Sequence, residues 1–328
     1  MPRELPRGAL PGSLLLAVAA ISSSAILARV AMGDDPGVVR AGSDGAAAAV
    51  AIAFWRCALG AVALAPRAWR ARSPLGPTRR RQLVGSGLAL GLHFALFQGA
   101  LALTTVASAV TLATLSPLFV ALGAARFLQE PASRRVLLGL AVTVVGATVI
   151  GLGDLRAADL GRRALLGDAM ALASAIAVAA YLLVGRVARR DVATSTYSAS
   201  VYGVAAVALL AVALSAGVRL VGFDPLVWAA IGGIVLGPQL LGHTVFNALL
   251  SRLSATVIAV VVLSEPVGAA ILAWWLLAET PAAAFAVGAP LVLLGVLAAT
   301  TGTRHRPVAP DAPVASAPPP DPDGDRRH

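Results

Sequence analysis

The chain has 328 residues, 58% of them hydrophobic and 13% charged, with a mean hydropathy of +0.82 and a formal net charge of +10. Soluble domains are about 45–50% apolar and about 25% charged, so one soluble core cannot hold this apolar excess and a polytopic membrane protein is expected. Every basic residue is an arginine, and the arginines fall between apolar runs rather than on one polar face, which points to lipid-facing topology signals and away from nucleic acid.

The apolar runs predict an all-α integral membrane protein of ten transmembrane helices. They lie at about 10–31, 46–65, 83–102, 105–127, 135–152, 164–185, 196–217, 226–248, 254–277 and 283–302. The first run is long enough to span and more runs follow, so it is read as a helix of the mature protein, not as a signal peptide. The single cysteine, Cys57, lies in the second run, so no intrachain disulfide can form. Connections between runs three and four, and between eight and nine, are very short. The tail 303–328, "TRHRPVAPDAPVASAPPPDPDGDRRH", is Pro-rich without apolar period and is expected to be disordered.

Orientation follows from the arginines. With the N-terminus inside, 19 arginines fall in inner segments and six in outer ones, while Arg56 lies within a span. That bias places both termini in the cytoplasm. The link between runs five and six, with Arg156, Arg162 and Arg163, fits least well.

The chain also repeats itself. Pro117 and Pro266, Glu130 and Glu279, Gly139 and Gly288, and Gly146 and Gly295 each differ by 149 positions, without a gap. Two five-helix units are therefore expected, at 10–155 and 160–302. Five is odd, so the second unit enters the membrane the opposite way round, an inverted repeat of the kind that encloses a midplane substrate site in secondary transporters. Pro117 and Pro266 are expected as helix kinks that free the carbonyls of Ala113 and Val262. Glu130 and Glu279 read as polar helix ends at the membrane interface.

Charges inside a span are costly and tend to pair or to line a cavity. Arg56, His93, Asp168, His243 and Glu265 qualify. Glu265 is the most central acid, and its counterpart in the first repeat is Ser116, so the fold does not require an acid there. Two readings stand for it: a proton-coupling carboxylate, or a structural ion pair with Arg56. Arg56 can instead bind an anionic group of a substrate in two-point fashion. His93 and His243 can relay protons or make hydrogen-bonded helix contacts. Asp168 reads as a helix start near the outer surface. Trp55, Gln98, Tyr181, Gln239 and Asn247 offer hydrogen bonds or aromatic walls, and Trp274 and Trp275 suit an interfacial belt. The sequence holds no phosphate-binding loop, no H-E-x-x-H pair and no Cys/His cluster, so neither an enzyme, a cofactor nor a metal is expected.

Several stretches resemble the EamA-type members of the drug/metabolite transporter superfamily. "AISSSAILARVA", "AAAIAFWRCALGAVALAP" and "LGLHFALFQGALALTTVASAVTLATLSPLFVALGAARFLQEP" are similar to that family's first four helices, "LLGDAMALASAIAVAAYLLVGRVARR" to its sixth, and "GHTVFNALLSRLSATVIAVVVLSEPVGAAILAWWLLAET" to its eighth and ninth. The first helix lacks the tryptophan common in relatives, and "FLQE" replaces a more usual small residue before the glutamate. The resemblance implies ten helices in two inverted EamA repeats and transport, often efflux, of small metabolites. A secondary transporter of the cell membrane is therefore expected, with a small molecule, the lipid bilayer and protons as partners. A homodimer is compatible with the sequence. The alternative is a non-transporting membrane scaffold or sensor.

Overall fold

The computed structural model describes residues 10–32, 45–71, 74–103, 109, 112–113, 115–154, 162–277 and 283–301. The tail 303–328, Glu279 and most of the junction between the third and fourth runs lie outside them. The described elements are helical: α1 (Leu10–Met32), α2 (Gly45–Arg70), α3 (Pro77–Leu103), α4 (Ser116–Phe127), α5 (Arg134–Asp154), α6 (Arg162–Ala188), α7 (Thr194–Ser215), α8 (Pro225–Ile234), a π-helical segment (Val235–His243), α9 (Thr244–Leu249), α10 (Ala255–Val262), α11 (Glu265–Leu277) and α12 (Phe285–Thr301). Among the described residues, six stretches are long and apolar enough to cross a bilayer: Ala47–Arg70, Pro77–Ala100, Leu165–Ala188, Thr194–Ser215, Pro225–Leu249 and Ala255–Leu272. Shorter apolar helices lie at Gly12–Ala28, Ser116–Phe127 and Phe285–Thr301.

Small and polar side chains join aromatic and branched aliphatic ones in the core, and large apolar side chains also cover the outside. Ala17, Ala49, Ala53, Ala171, Ala175, Ser86 and Ser198 are buried, while Leu15, Val62, Leu122, Leu138, Leu166, Val207 and Leu294 face outward. That is the distribution lipid demands, because apolar surface gains nothing by hiding from a hydrocarbon solvent and close backbone packing does the holding. Trp274 and Trp275 are both exposed, as an interfacial belt requires.

Packing respects the repeat. α3 packs on α6, and α1 on α8 and the π segment; α2 packs on α7, α5 on α12, α4 on α10, α4 on α6 and α1 on α11. Exchanging each apolar run for the one five places away maps these packings onto one another. The α5–α12 crossing shows the relation most sharply. A Cβ on Gly146 would stand 2.7 Å from the Gly288 carbonyl oxygen, and one on Gly139 would stand 2.5 Å from that of Gly295. These are the glycines that repeat at a spacing of 149. Because 139 meets 295 and 146 meets 288, the two equivalent helices run antiparallel.

The prolines differ from expectation. Pro117 and Pro266 do not kink continuous helices; each stands in the first turn of a new one. Before α4 the chain turns with Leu118 N–H bonded to Leu115 O at 3.0 Å, and before α11 with Ser264 N–H bonded to Val261 O at 3.0 Å. A proline costs little in a first turn, where its missing N–H would have no helical partner. The break therefore sits before the proline rather than bending around it. A third interruption, which the apolar pattern conceals, is the π segment holding Pro238. Pro238 cannot donate to the carbonyl four residues back, and the wider turn closes instead by Thr244 N–H on Gln239 O.

Candidate functional site

α2 carries Arg56 into the protein interior, where the residue is 3% exposed. Its guanidinium lies over the Phe94 ring of α3, 4.0 Å from the centroid. Such a contact offsets part of the cost of burying a cation. Arg56 Nε donates to Gln239 Oε1 of the π segment at 2.9 Å, while Arg56 Nη2 and Gln239 Nε2 are buried without a partner. The edge of Phe94 meets His243, with ring centroids 5.6 Å apart, and His93 lies alongside at 5.2 Å. His93 Nδ1 is 3.1 Å from the Ser174 carbonyl oxygen, which fixes that nitrogen as the N–H donor.

The π segment explains how Gln239 and His243 come to face this centre. The Gln239 carbonyl accepts from Thr244 Oγ1 at 3.0 Å and from Tyr202 Oη at 3.3 Å, beyond the π bond itself. α7 thus fastens the widened turn, and π-bulges commonly mark functional positions in helices.

Glu265 is the first residue of α11 and half-buried. The expected ion pair with Arg56 is not made among the described residues. The Glu265 backbone carbonyl accepts from Ser22 Oγ at 3.3 Å, so α1 is pinned at the break.

The other sequence candidates separate. Gln98, a turn beyond Phe94 on α3, is buried with Oε1 unpartnered. Trp55 points away from its neighbour Arg56: its indole N–H donates to Leu220 O at 2.7 Å and its ring packs on Trp228. Tyr181 and Asn247 belong to a separate buried network. Tyr181 Oη donates to Asn247 Oδ1, and Asn247 Nδ2 donates to Ser198 Oγ at 3.1 Å. Tyr197 Oη and Ser86 Oγ, 2.6 Å apart, extend it to α3.

This network leads to a charged latch at one end of the bundle. Glu130 accepts from Arg186 Nε and from Arg190 Nη2, each at 3.2 Å. Arg186 Nη1 donates to Leu250 O at 2.7 Å and Arg189 Nε to Asn247 O at 2.8 Å. Arg79 pairs with Asp191 beside them. Burial pulls Arg189 down to about 10, so it stays charged at neutral pH. Glu130 reaches this place because α4 ends on a turn with Gln129 at φ 55° and Glu130 N–H bonded to Ala124 O at 3.0 Å. The arginines of the link between α6 and α7 read in the sequence as topology signals alone. Phe94 and Tyr202 gave no signal at all, since an aromatic in an apolar run looks like ordinary packing.

Comparison with known proteins now bears on this arrangement. The model of the EamA-like transporter family matches residues 11–152 and again 165–301. The chain belongs to the EamA-like transporter family. It is a multi-pass membrane protein of the drug/metabolite transporter type, a family of transporters rather than enzymes. The EamA match covers both halves, and Arg56, His93 and Phe94 come from the first copy while Gln239, His243 and Glu265 come from the second. No curated protein matches the chain. Among solved structures, a crystal structure titled only as that of a protein aligns over 90% of this chain and 98% of its own, at 21% identity and a TM-score of 0.69. That likeness shows the fold.

Proposed function

We propose that this EamA-family chain is a secondary transporter that moves small metabolites across the cell membrane by alternating access between two inverted five-helix repeats. In this reading there are ten spans, both termini are cytoplasmic, the direction is efflux, and protons are the coupling ion. The observation that carries the reading is the bond from Arg56 of the first repeat to Gln239 of the second, made at the interrupted helix that holds Pro238, with Glu265 at a second break and no ion pair between Glu265 and Arg56 among the described residues. A charge in the membrane interior is costly, and a scaffold would be better served by a closed ion pair or by leucine. Interrupted helices at the repeat interface are where transporters hold their substrates.

The latch supports a second part of the mechanism. Glu130, Arg186 and Arg190 join α4 to the end of α6, and Arg186 and Arg189 join that end to the turn after α9. A state with these contacts formed is closed toward the arginine-rich side. Rocking one repeat against the other breaks the Glu130 contacts and opens that side, while the bonds of Arg186 and Arg189 to Leu250 and Asn247 stay within the second repeat.

Glu265 is assigned the proton. The test is flux of a metabolite panel in proteoliposomes under an imposed pH gradient. Glu265→Gln is expected to abolish gradient-driven flux while the protein stays folded in the membrane. Unchanged pH-dependent flux in that variant refutes the coupling role, and binding without flux for every compound refutes transport.

A further inference from the structure

We infer that Arg56 and Gln239 together form a two-donor subsite for the carboxylate of the transported molecule, an assignment that rests on the transporter reading above and names its substrate class. Arginine can only donate, so the amide atom of Gln239 that faces Arg56 Nε at 2.9 Å is the oxygen. Gln239 Nε2 is then a donor on the same amide plane. That nitrogen and Arg56 Nη2 are both buried and both lack an acceptor. Each sits on a planar group, and the two groups are locked to each other by the Nε–Oε1 bond.

Two donors left bare in the interior are an expensive feature. A buried polar atom without a partner costs about 1–3 kcal/mol, and more on a charged group. Native proteins retain such atoms where a ligand supplies the missing bond. The ligand must bring acceptors, and it must bring negative charge, because Glu265 does not close on Arg56. One guanidinium and one neutral amide match a planar monoanion with two oxygens, which is a carboxylate. A phosphate dianion would bring more charge than this centre balances, and a cation or a pure donor would leave Arg56 Nη2 and Gln239 Nε2 without an acceptor.

The surroundings keep the site in shape. Phe94 covers one face of the guanidinium, leaving its edge for the ligand. Tyr202 and Thr244 hold the Gln239 backbone. A Cβ on Gly60 would lie 3.0 Å from Gln239 Cγ, so α2 presses the same side chain from behind.

The test uses purified full-length protein in detergent and paired probes: benzoate, phenylacetate, leucine and phenylalanine, each against its primary amide. Binding is read by calorimetry and by the shift in Tm. In the parent protein at least one acid is expected to bind about tenfold or more tightly than its amide, as loss of one charge-assisted contact implies. Gln239→Glu places a carboxylate against Arg56 from within, and should abolish that preference while keeping or raising Tm. Arg56→Lys, which keeps the charge and loses the planar fork, should weaken it, and serves as the readout if Gln239→Glu fails to fold. Acids that bind no better than their amides overturn the assignment, as does a preference that survives both substitutions. Flux separates this from the parent reading. A bound acid that is never moved in proteoliposomes refutes transport and leaves the subsite. A neutral solute moved equally by parent and Gln239→Glu refutes the subsite and leaves transport.

Discussion

Removing the latch acid should change which side of the protein is open. In Glu130→Gln the side chain keeps its shape and one acceptor but loses its charge to both Arg186 and Arg190. The side chains of Arg186 and Glu130 are 9% and 21% exposed, and that of Arg190 is 39% exposed. A hydrogen bond between charged groups is worth about 1.5–3 kcal/mol when sheltered, and an exposed pair about 0–1 kcal/mol. Arg186 also keeps its bond to Leu250 O. Together these leave a loss of about 1–2 kcal/mol, borne only by the state in which the latch is closed. That is a shift of about 5–30-fold in the ratio of open to closed protein. Cysteine labelling can read it. Cys57 is the single cysteine and is buried, so Cys57→Ser gives a background free of thiols. Ser198→Cys then sits beneath the latch, at a buried position that touches Asn247. Its maleimide labelling rate should rise about 5–30-fold when Glu130→Gln is added. Asp191→Asn, which breaks the exposed pair with Arg79, should raise it by less than about fivefold. Equal labelling with and without Glu130→Gln would refute the latch, because a contact absent from neither state cannot bias them.

Two further substitutions test the packing. Gly146→Ala drives a methyl group against the Gly288 carbonyl and the Val292 amide, each 2.7 Å from the new atom, so α5 and α12 must part. A cost of about 1–3 kcal/mol is expected as a fall in Tm, whereas Gly85→Ala, with open space around it, should leave Tm unchanged or higher by its gain in helix propensity. Gln129 holds a φ of 55°, a region that costs a non-glycine residue about 1–2 kcal/mol, so Gln129→Gly should hold or raise Tm even after its greater unfolded-state entropy is counted. A lower Tm for that variant would show that the side chain's 3.4 Å bond to Arg126 O outweighs the backbone strain.

Gln129 also illustrates where sequence and structure part. The letters give no sign that this position adopts a left-handed turn, because glutamine is not a residue that favours one. The repeat, by contrast, was legible. Close backbone contact admits only glycine, so Gly139, Gly146, Gly288 and Gly295 mark the α5–α12 crossing in the letters themselves. Glu265 and Arg56 stood out because ionisable residues are rare in apolar runs. Trp55 was equally conspicuous and lies elsewhere, since the side chain next to Arg56 on a helix points about 100° away from it.

By itself the sequence determined that the chain is a helical membrane protein, that it is duplicated, and that a few charges are buried in it. Those properties follow from local composition and from spacing along the chain, which need no knowledge of neighbours. Only the tertiary structure decided that Pro117 and Pro266 begin helices, that Pro238 opens a π turn, and that Arg56 spends one donor on Gln239 and, among the described residues, makes no ion pair with Glu265. Hydrogen-bond partners 183 residues apart are chosen by how helices pack, and apolar periodicity carries no record of that choice.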